Sequence, residues 1–508
     1  MNNQRDSWAS RAVFILAAIG SAVGLGNAWR FPGLAAKHGG GTFLMVYLVA
    51  MFVMGIPLLM MEISIARKLQ KGAAESMRGI NKKSEFVGWA ATANAFVIVT
   101  YYAVVFAWVL MMVVYAFRFA GMTGDVNAAK NVFAEATKTT WDVKGYSIPI
   151  PVLIALVIAW AAIYYCIRNG AHSVGKVVKY TVFLPVIFLI MMAVKGCTMK
   201  GAGEGLRMFF VPKAEALKDP GLWIDAIGQV FYSLSIMMAI MFAYGSYLHE
   251  KTNIAVDACV IAIADAAVSI LSGVVMFSTM GGVGMLDNIS DSGIATAFII
   301  YPSAIVNLTS AGWFNAAFGV IFYLMLVTLA VDSAFSIVEG VSASVADKFR
   351  LNPRKVTKGV CAVAAVISLL YATRAGLAWL DIVDNWTNMF NLILIGVLEC
   401  ITVGWFFNPR KVLKEVNRNT TNFKMPAFWF VTSVKFISPI ALAGLFGWNM
   451  YNLFVNKGGH YGYALWAEIA GGWAVSVLVF VSGFIIRMIV NARKKHGFVE
   501  NEVVWKED

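Results

Sequence analysis

A chain of 508 residues that is 59% hydrophobic and 14% charged, with a mean hydropathy of +0.71, carries too much apolar surface for a soluble globular domain and fits a polytopic helical membrane protein. The formal charge of +13 could suggest a nucleic-acid partner. Its cations gather instead in short loops between apolar runs, where they set orientation across a bilayer, so no nucleic acid is expected.

Runs long enough to cross a hydrocarbon core of about 30 Å fall near 11–36, 41–66, 87–119, 149–167, 174–196, 223–248, 254–280, 314–347, 357–373, 379–407, 426–455 and 463–492. They predict twelve transmembrane helices. Arg5 and Arg11 ahead of the first run superficially suggest a signal peptide, but no small-residue cleavage site precedes a soluble domain, so the run reads as the first membrane helix. Gly20-Ser21-Ala22-Val23-Gly24-Leu25-Gly26-Asn27 interrupts that helix, and Arg30-Phe31-Pro32 follows. Opened backbone is tolerated at membrane depth only where it faces protein or a cavity. Close packing through small residues is the alternative, but Asn27 and Arg30 are expensive at that depth and point to a site.

The second run carries Gly55-Ile56-Pro57 and Glu62, then a basic loop with Arg67, Lys68, Lys71, Arg78, Lys82 and Lys83. Tyr101-Tyr102 lies in the third run, and Ser233-Leu234-Ser235 interrupts the sixth. Two interrupted helices five spans apart point to an inverted-repeat transporter with its site at the midplane. Asp265 and Asp332 are ionisable groups inside apolar helices, where an unpartnered charge costs several kcal/mol and a bound cation would offset it. Residues 281–313 read as an amphipathic helical loop over the outer vestibule. Asn352-Pro353-Arg354-Lys355-Val356 recurs as Asn408-Pro409-Arg410-Lys411-Val412, two similar helix starts with proline in the first turn.

Further cations follow the eighth span (Lys348, Arg350, Arg354), the tenth (Arg410, Lys411, Lys414) and the twelfth (Arg493, Lys494, Lys495). With twelve spans all lie on one side, so both termini are expected to be cytoplasmic in a multi-pass protein of the cell inner (plasma) membrane. The five cysteines are scattered and suggest neither a disulfide framework nor zinc. The expected organisation is a cytoplasmic segment at 1–10, a first repeat of five spans at 11–196, an extracellular loop at 197–222, an inverted second repeat at 223–407, two further spans at 408–493 and a cytoplasmic tail at 494–508.

The run Ala22 to Pro32, Gly55-Ile56-Pro57 with Glu62, Tyr101-Tyr102, Gln229-Val230-Phe231-Tyr232-Ser233, Ala243-Tyr244-Gly245-Ser246-Tyr247, Leu329-Ala330-Val331-Asp332-Ser333, and Glu399 with Gly404-Trp405 resemble the neurotransmitter:sodium symporters, particularly bacterial amino-acid members, from Trp8 to about Trp405. The resemblance implies the all-α leucine-transporter fold, a 5+5 inverted repeat with helices 1 and 6 broken. It implies one sodium at Ala22, Asn27, Ser233 and Asp265 with the substrate carboxylate, and a second at Gly20, Val23, Leu329, Asp332 and Ser333. It implies a substrate pocket of Ala22, Val23, Gly24, Leu25, Gly26, Ile98, Tyr102, Tyr232, Ser233, Ser235, Met238, Ser333 and Ile337.

Amine-transporting relatives carry an aspartate where this chain has Gly24. Glycine leaves that charge to the substrate, as an α-amino acid would supply it, with the carboxylate on the Leu25 and Gly26 amides and the Tyr102 hydroxyl. Tyr47, Gln229, Ser233 and Ser269 match the chloride contacts of chloride-dependent relatives, yet Asp265 stands where those have asparagine. A fixed anion there would repel chloride and replace it, so transport is expected to be chloride-independent. Arg30 and Asp384, with Tyr102 and Tyr232 as an aromatic lid, would form the outer gate. Arg5 and Asp347, with Trp8 near Ser246 and Tyr247, would form the inner one. Glu62 would accept hydrogen bonds from amides freed at the breaks.

Where the family usually has glycines, this chain has Met237 and Ala239, which obscures the sixth-span break. Met238 could admit a large apolar or aromatic side chain, while Met237 could fill the space. The resulting expectation is sodium-coupled symport of an L-α-amino acid by alternating access, with another zwitterionic solute or an ion channel as alternatives. An intramembrane enzyme lacks a base near Ser333, and proton coupling lacks a titrating relay.

Overall fold

A backbone immersed in lipid must satisfy its own polar groups, and this chain does so with helices. The computed structural model describes residues 7–289, 292–420, 423–456, 462–500 and 502–506, with no strand among them. Among these residues nine helices are long and apolar enough to cross a membrane: Gly41–Leu69, Lys82–Gly121, Ile150–Ile167, Ala171–Cys197, Ile254–Val283, Gly312–Phe349, Gly376–Phe406, Ala427–Val455 and Leu465–Lys494. Arg11–Ala22 and Gly26–Lys37 make a tenth, bent by 49°. The pair Pro220–Ser233 and Ile240–Gly245 stands in the sixth place, and Pro353–Tyr371, with basic first turns, in the ninth. The order is consistent with twelve spans.

Both breaks have local causes. Ser10 caps the first helix by accepting from the Val13 amide, and the helix stops at Val23, whose backbone is extended (φ −79°, ψ 97°). It restarts at Gly26 as a π-helical turn, and Pro32 stands at the start of the α-helical segment that follows. The sixth span unwinds without glycine: Ser235, Met237 and Ala239 have φ of 53°, 64° and 61°. Left-handed geometry costs an L-residue about 1–2 kcal/mol, so tertiary contacts must hold it. Ser235 Oγ donates to the Ser21 carbonyl (2.9 Å) and the Met237 amide donates to Glu62 Oε1 (2.6 Å). The second span thus props the sixth-span break, and the two breaks lean on each other.

The third and eighth spans pack along each other and wall the interior. The 281–313 segment contains a helix, Gly293–Ile305, with Phe298 wedged between Trp29 and Phe133 (5.9 and 4.4 Å between ring centroids). Asn352 and Asn408 cap their helices alike, each accepting from an amide two residues on (Arg354 and Arg410, both 3.0 Å). On the face carrying the basic loops, buried Arg67 pairs with Glu415 at 2.7 Å.

Candidate functional site

The two breaks frame a cavity against the third and eighth spans. Ala22, Gly24, Leu25, Gly26, Ile98, Tyr102, Tyr232, Ser233, Ser235, Met238, Ser333 and Ile337 all line it, together with Ser21, Asn27 and Ile240. Met237 and Val23 do not. One side is polar: the Tyr102 hydroxyl is buried without a hydrogen-bond partner among the described residues, beside the Leu25 amide and Ser333. The other is apolar, built from Ile98, Met238, Ile240 and Ile337. A Cβ at Gly24 would lie 2.5 Å from Ser333 Oγ, so a side chain there must displace that hydroxyl.

Below this lies a polar cluster joining the first, second, sixth and seventh spans. Asn27 Oδ1 accepts from the Gly24 amide (2.9 Å), while its Nδ2 faces Asp265 Oδ1 (2.7 Å), Ser269 Oγ (2.8 Å) and Ser233 Oγ (2.9 Å). Ser233 Oγ also donates to Asp265 (2.6 Å to Oδ2), as does the Tyr47 hydroxyl (3.1 Å). Gln229 Nε2 donates to the Gly26 carbonyl (3.2 Å). The Asp265 carboxylate is therefore the acceptor on which Tyr47, Ser233 and Asn27 converge.

Asp332 is also buried, but one of its oxygens, Oδ1, has no hydrogen-bond partner among the described residues. Gly20 makes the space beside it: a Cβ there would stand 2.8 Å from Asp332 Oδ2. Val23 is where the first helix stops, and Leu329 lies three residues before Asp332 on the eighth span. A buried carboxylate with an open oxygen between two helices fits a hard cation wanting oxygen ligands. Thr181 of the fifth span reaches this carboxylate as well.

Above the cavity the expected Arg30–Asp384 ion pair is not made among the described residues. The Arg30 guanidinium lies over the Tyr232 ring, 5.2 Å from its centroid. Asp384 accepts instead from the Tyr101 hydroxyl (2.7 Å) and from Asn388 Nδ2 (2.8 Å). These two donors supply what a carboxylate leaving water requires, and the arginine keeps an aromatic face and a longer-range attraction. On the opposite side, Trp8 is buried, donates from Nε1 to the Tyr244 carbonyl (2.9 Å) and rests edge-on against Tyr244 and Tyr247. The Tyr247 hydroxyl donates to Glu339. Ser246 Oγ donates back to the Ala243 carbonyl (2.5 Å), and Asp347 accepts from the Gly72 amide (2.6 Å). The expected partner of Asp347, Arg5, lies outside the described residues.

The chain matches the model of the sodium:neurotransmitter symporter family over residues 5–131 and 135–492. It belongs to that family. It is 32% identical over 498 residues to an uncharacterised sodium-dependent transporter of Methanocaldococcus jannaschii, across 96% of this chain and 98% of that one. It is 27% identical to a sodium- and chloride-dependent taurine transporter of Bos taurus, across 98% and 86% of the two chains. Among solved structures, MhsT in complex with L-phenylalanine superposes with a TM-score of 0.73 at 27% identity, covering 87% of this chain and 99% of MhsT. The protein is thus a multi-pass, sodium-dependent symporter of a transporter family, not of an enzyme family.

Several residues of this symporter's site escaped the sequence reading. Asn388 stands four residues after Asp384, one helical turn, which places both on one helix face. Tyr101 was visible only as the neighbour of Tyr102, and that both tyrosines matter needs the third span's rotation. Arg11 bonds Asp257 (2.7 Å) and ties the start of the first span to the seventh, a contact between residues 246 apart that no local pattern announces. Glu399, which the motif pattern already named, is fully buried near the Glu62 carboxyl.

Proposed function

We propose that this symporter couples sodium to the uptake of an L-α-amino acid with a hydrophobic or aromatic side chain, by alternating access and without chloride. The observation that carries the reading is the cavity's division. At one end the partnerless Tyr102 hydroxyl stands beside the Leu25 amide, suited to a carboxylate; at the other, Ile98, Met238, Ile240 and Ile337 suit an apolar side chain. Gly24 supplies no anion for an amine, so the substrate brings its own. The apolar end disfavours taurine, whose transporters are also among the relatives, and the L-phenylalanine bound to MhsT supports an aromatic or aliphatic amino acid.

Two sodium ions travel with it. The first is held by Ala22, Asn27, Ser233 and Asp265 with the substrate carboxylate, the second by Gly20, Val23, Leu329, Asp332 and Ser333. The unpartnered Asp332 oxygen beside Gly20 supports the second site. Chloride is not needed, because Tyr47, Ser233 and Asn27 already direct their donors at the Asp265 carboxylate and a second anion beside it would be repelled. Sodium orders the breaks, substrate draws Tyr102, Tyr232, Arg30 and Asp384 closed, and release of the second ion frees the Trp8 segment toward the cytoplasm. This is a binding-driven population shift, in a plasma-membrane protein with both termini cytoplasmic.

The deciding experiment is competition by the twenty amino acids against one labelled substrate in proteoliposomes, repeated with sodium and then chloride replaced. Inhibition by large apolar amino acids, abolished without sodium and unchanged without chloride, is expected. Uptake that requires chloride in the native protein but not in Asp265→Asn overturns the chloride reading, and sodium current uncoupled from solute overturns symport.

A further inference from the structure

Two residues of the sixth-span break, Met237 and Ala239, take a left-handed backbone and lie outside the cavity lining, and Met237 is the bulkier. Met237 has φ of 64°, a geometry glycine adopts freely and methionine does not. Its side chain is fully buried yet absent from the cavity lining. It points the other way, into the tenth span, where the thioether rests on Gly396; a Cβ at 396 would come within 2.7 Å of Met237 Cε and closer still to Sδ. The notch is tight on its far side as well, with Leu442 3.0 Å from the same position.

The neighbouring residues show what this seat controls. Met238 and Ile240, on either side of Ala239, form part of the cavity's apolar wall. The backbone at and just before this wall is fixed from two further directions. The Met237 amide donates to Glu62, and the Ala239–Ile240 peptide lies against Gly340 of the eighth span, 3.2 Å from where a Cβ would stand. On the side toward the tenth span, the thioether fills the notch at Gly396. A bulky substrate side chain must press Met238 and Ile240 in that direction, and a close-packed interior yields little once the notch is filled. The same tenth span carries Asp384 and Asn388 at its other end.

We infer that Met237 is a positioning residue for substrate selection: seated in the Gly396 notch, its thioether sets how far Met238 and Ile240 intrude on the cavity, and so the largest side chain admitted. The inference rests on the amino-acid reading above. Methionine at 237 and glycine at 396 are on this view a reciprocal pair, one filling the space the other leaves.

The test is the same competition assay on purified protein in proteoliposomes, reading the ratio of half-inhibitory concentrations of tryptophan and valine, with the sodium half-saturation as a second readout. Met237→Gly is favoured by the left-handed backbone and keeps the amide bonded to Glu62. It is expected to lower the tryptophan-to-valine ratio at least tenfold, with sodium half-saturation within twofold of wild type. Gly396→Ala is expected to raise the ratio at least tenfold, and Met237→Gly combined with Gly396→Ala to bring it back toward wild type. Where Gly396→Ala yields no folded protein, Met237→Gly carries the test by itself. An unchanged ratio, or a parallel loss for both amino acids together with sodium, overturns the inference while leaving the function intact. A wild-type protein inhibited by no amino acid overturns the function and the inference with it.

Discussion

Gly24 and Ser333 divide one small volume between them, and that division fixes what each can become. A methyl group on Gly24 would lie 2.5 Å from Ser333 Oγ and 3.8 Å from the Tyr102 hydroxyl, which crowds the groups assigned to the substrate carboxylate. Gly24→Ala should therefore lower substrate affinity at least tenfold, about 1.4 kcal/mol, while leaving the melting temperature near wild type, because φ at this position is not in the left-handed region. Ser333→Gly in the same chain should recover part of the space, though not the hydroxyl. Equilibrium binding of labelled substrate to the single and double variants checks this. A Gly24→Ala protein that binds normally would mean that the carboxylate sits elsewhere in the cavity.

At the scale of the element, the sixth-span break depends on acceptors supplied by other helices. Glu62 gives the Met237 amide its hydrogen bond, and a buried amide left without one costs about 1–3 kcal/mol. Glu62→Ala should destabilise the detergent-solubilised protein by that amount. Glu62→Gln, which keeps a carbonyl oxygen at the same place, should cost less, and the order of the two melting temperatures is the measurement. The sequence made this helix hard to read. The first break was legible because Gly20, Gly24, Gly26 and Asn27 advertise it. The sixth was legible mainly as Ser233-Leu234-Ser235, since Ser235, Met237 and Ala239 adopt left-handed backbone under tertiary compulsion that no propensity records. Most of the residues that line the cavity were named by motif position, though Val23 is not among them and Ser21 and Ile240 were not foreseen, whereas the Tyr101–Asp384–Asn388 contacts depend on how the third and tenth spans are rotated against each other, which spacing within either span does not determine.

Across the whole molecule, the tail joins segments that the sequence keeps far apart. Lys348, at the end of the eighth span and almost fully buried, meets Glu75 (2.9 Å), Glu85 (2.5 Å) and Glu500 (2.5 Å). Glu500 also meets Arg78 (2.7 Å) and Lys494 (2.5 Å). Five residues further on, the Trp505 amide donates to the Gly79 carbonyl (3.0 Å) and its ring packs on Phe407, 5.3 Å between centroids. Burial alone would raise the Glu500 carboxyl, but hydrogen bonds from Lys348 and Lys494 and the charges of Lys348 and Arg78 outweigh it and hold it down to about 2. Glu75 is pushed the other way, above its ordinary 4.5, chiefly by burial. It gives up its charge first on acidification and leaves Lys348 to Glu85 and Glu500. A carboxyl depressed in the folded protein contributes stability that is fully present above its unfolded value and lost as pH falls through the folded one. Docking of the tail should therefore be constant from pH 7 down to about 5 and weaken progressively as pH falls from there toward 2. Glu500→Gln should release it at every pH. Hydrogen exchange at the Trp505 amide, corrected for the intrinsic rate, reads this directly: at least tenfold faster in Glu500→Gln at pH 7, and unchanged in wild type between pH 7 and 5. Loss of protection in wild type within that interval would show that a carboxyl raised above the ordinary range, as Glu75 is, rather than Glu500, holds the tail against the second-to-third-span loop.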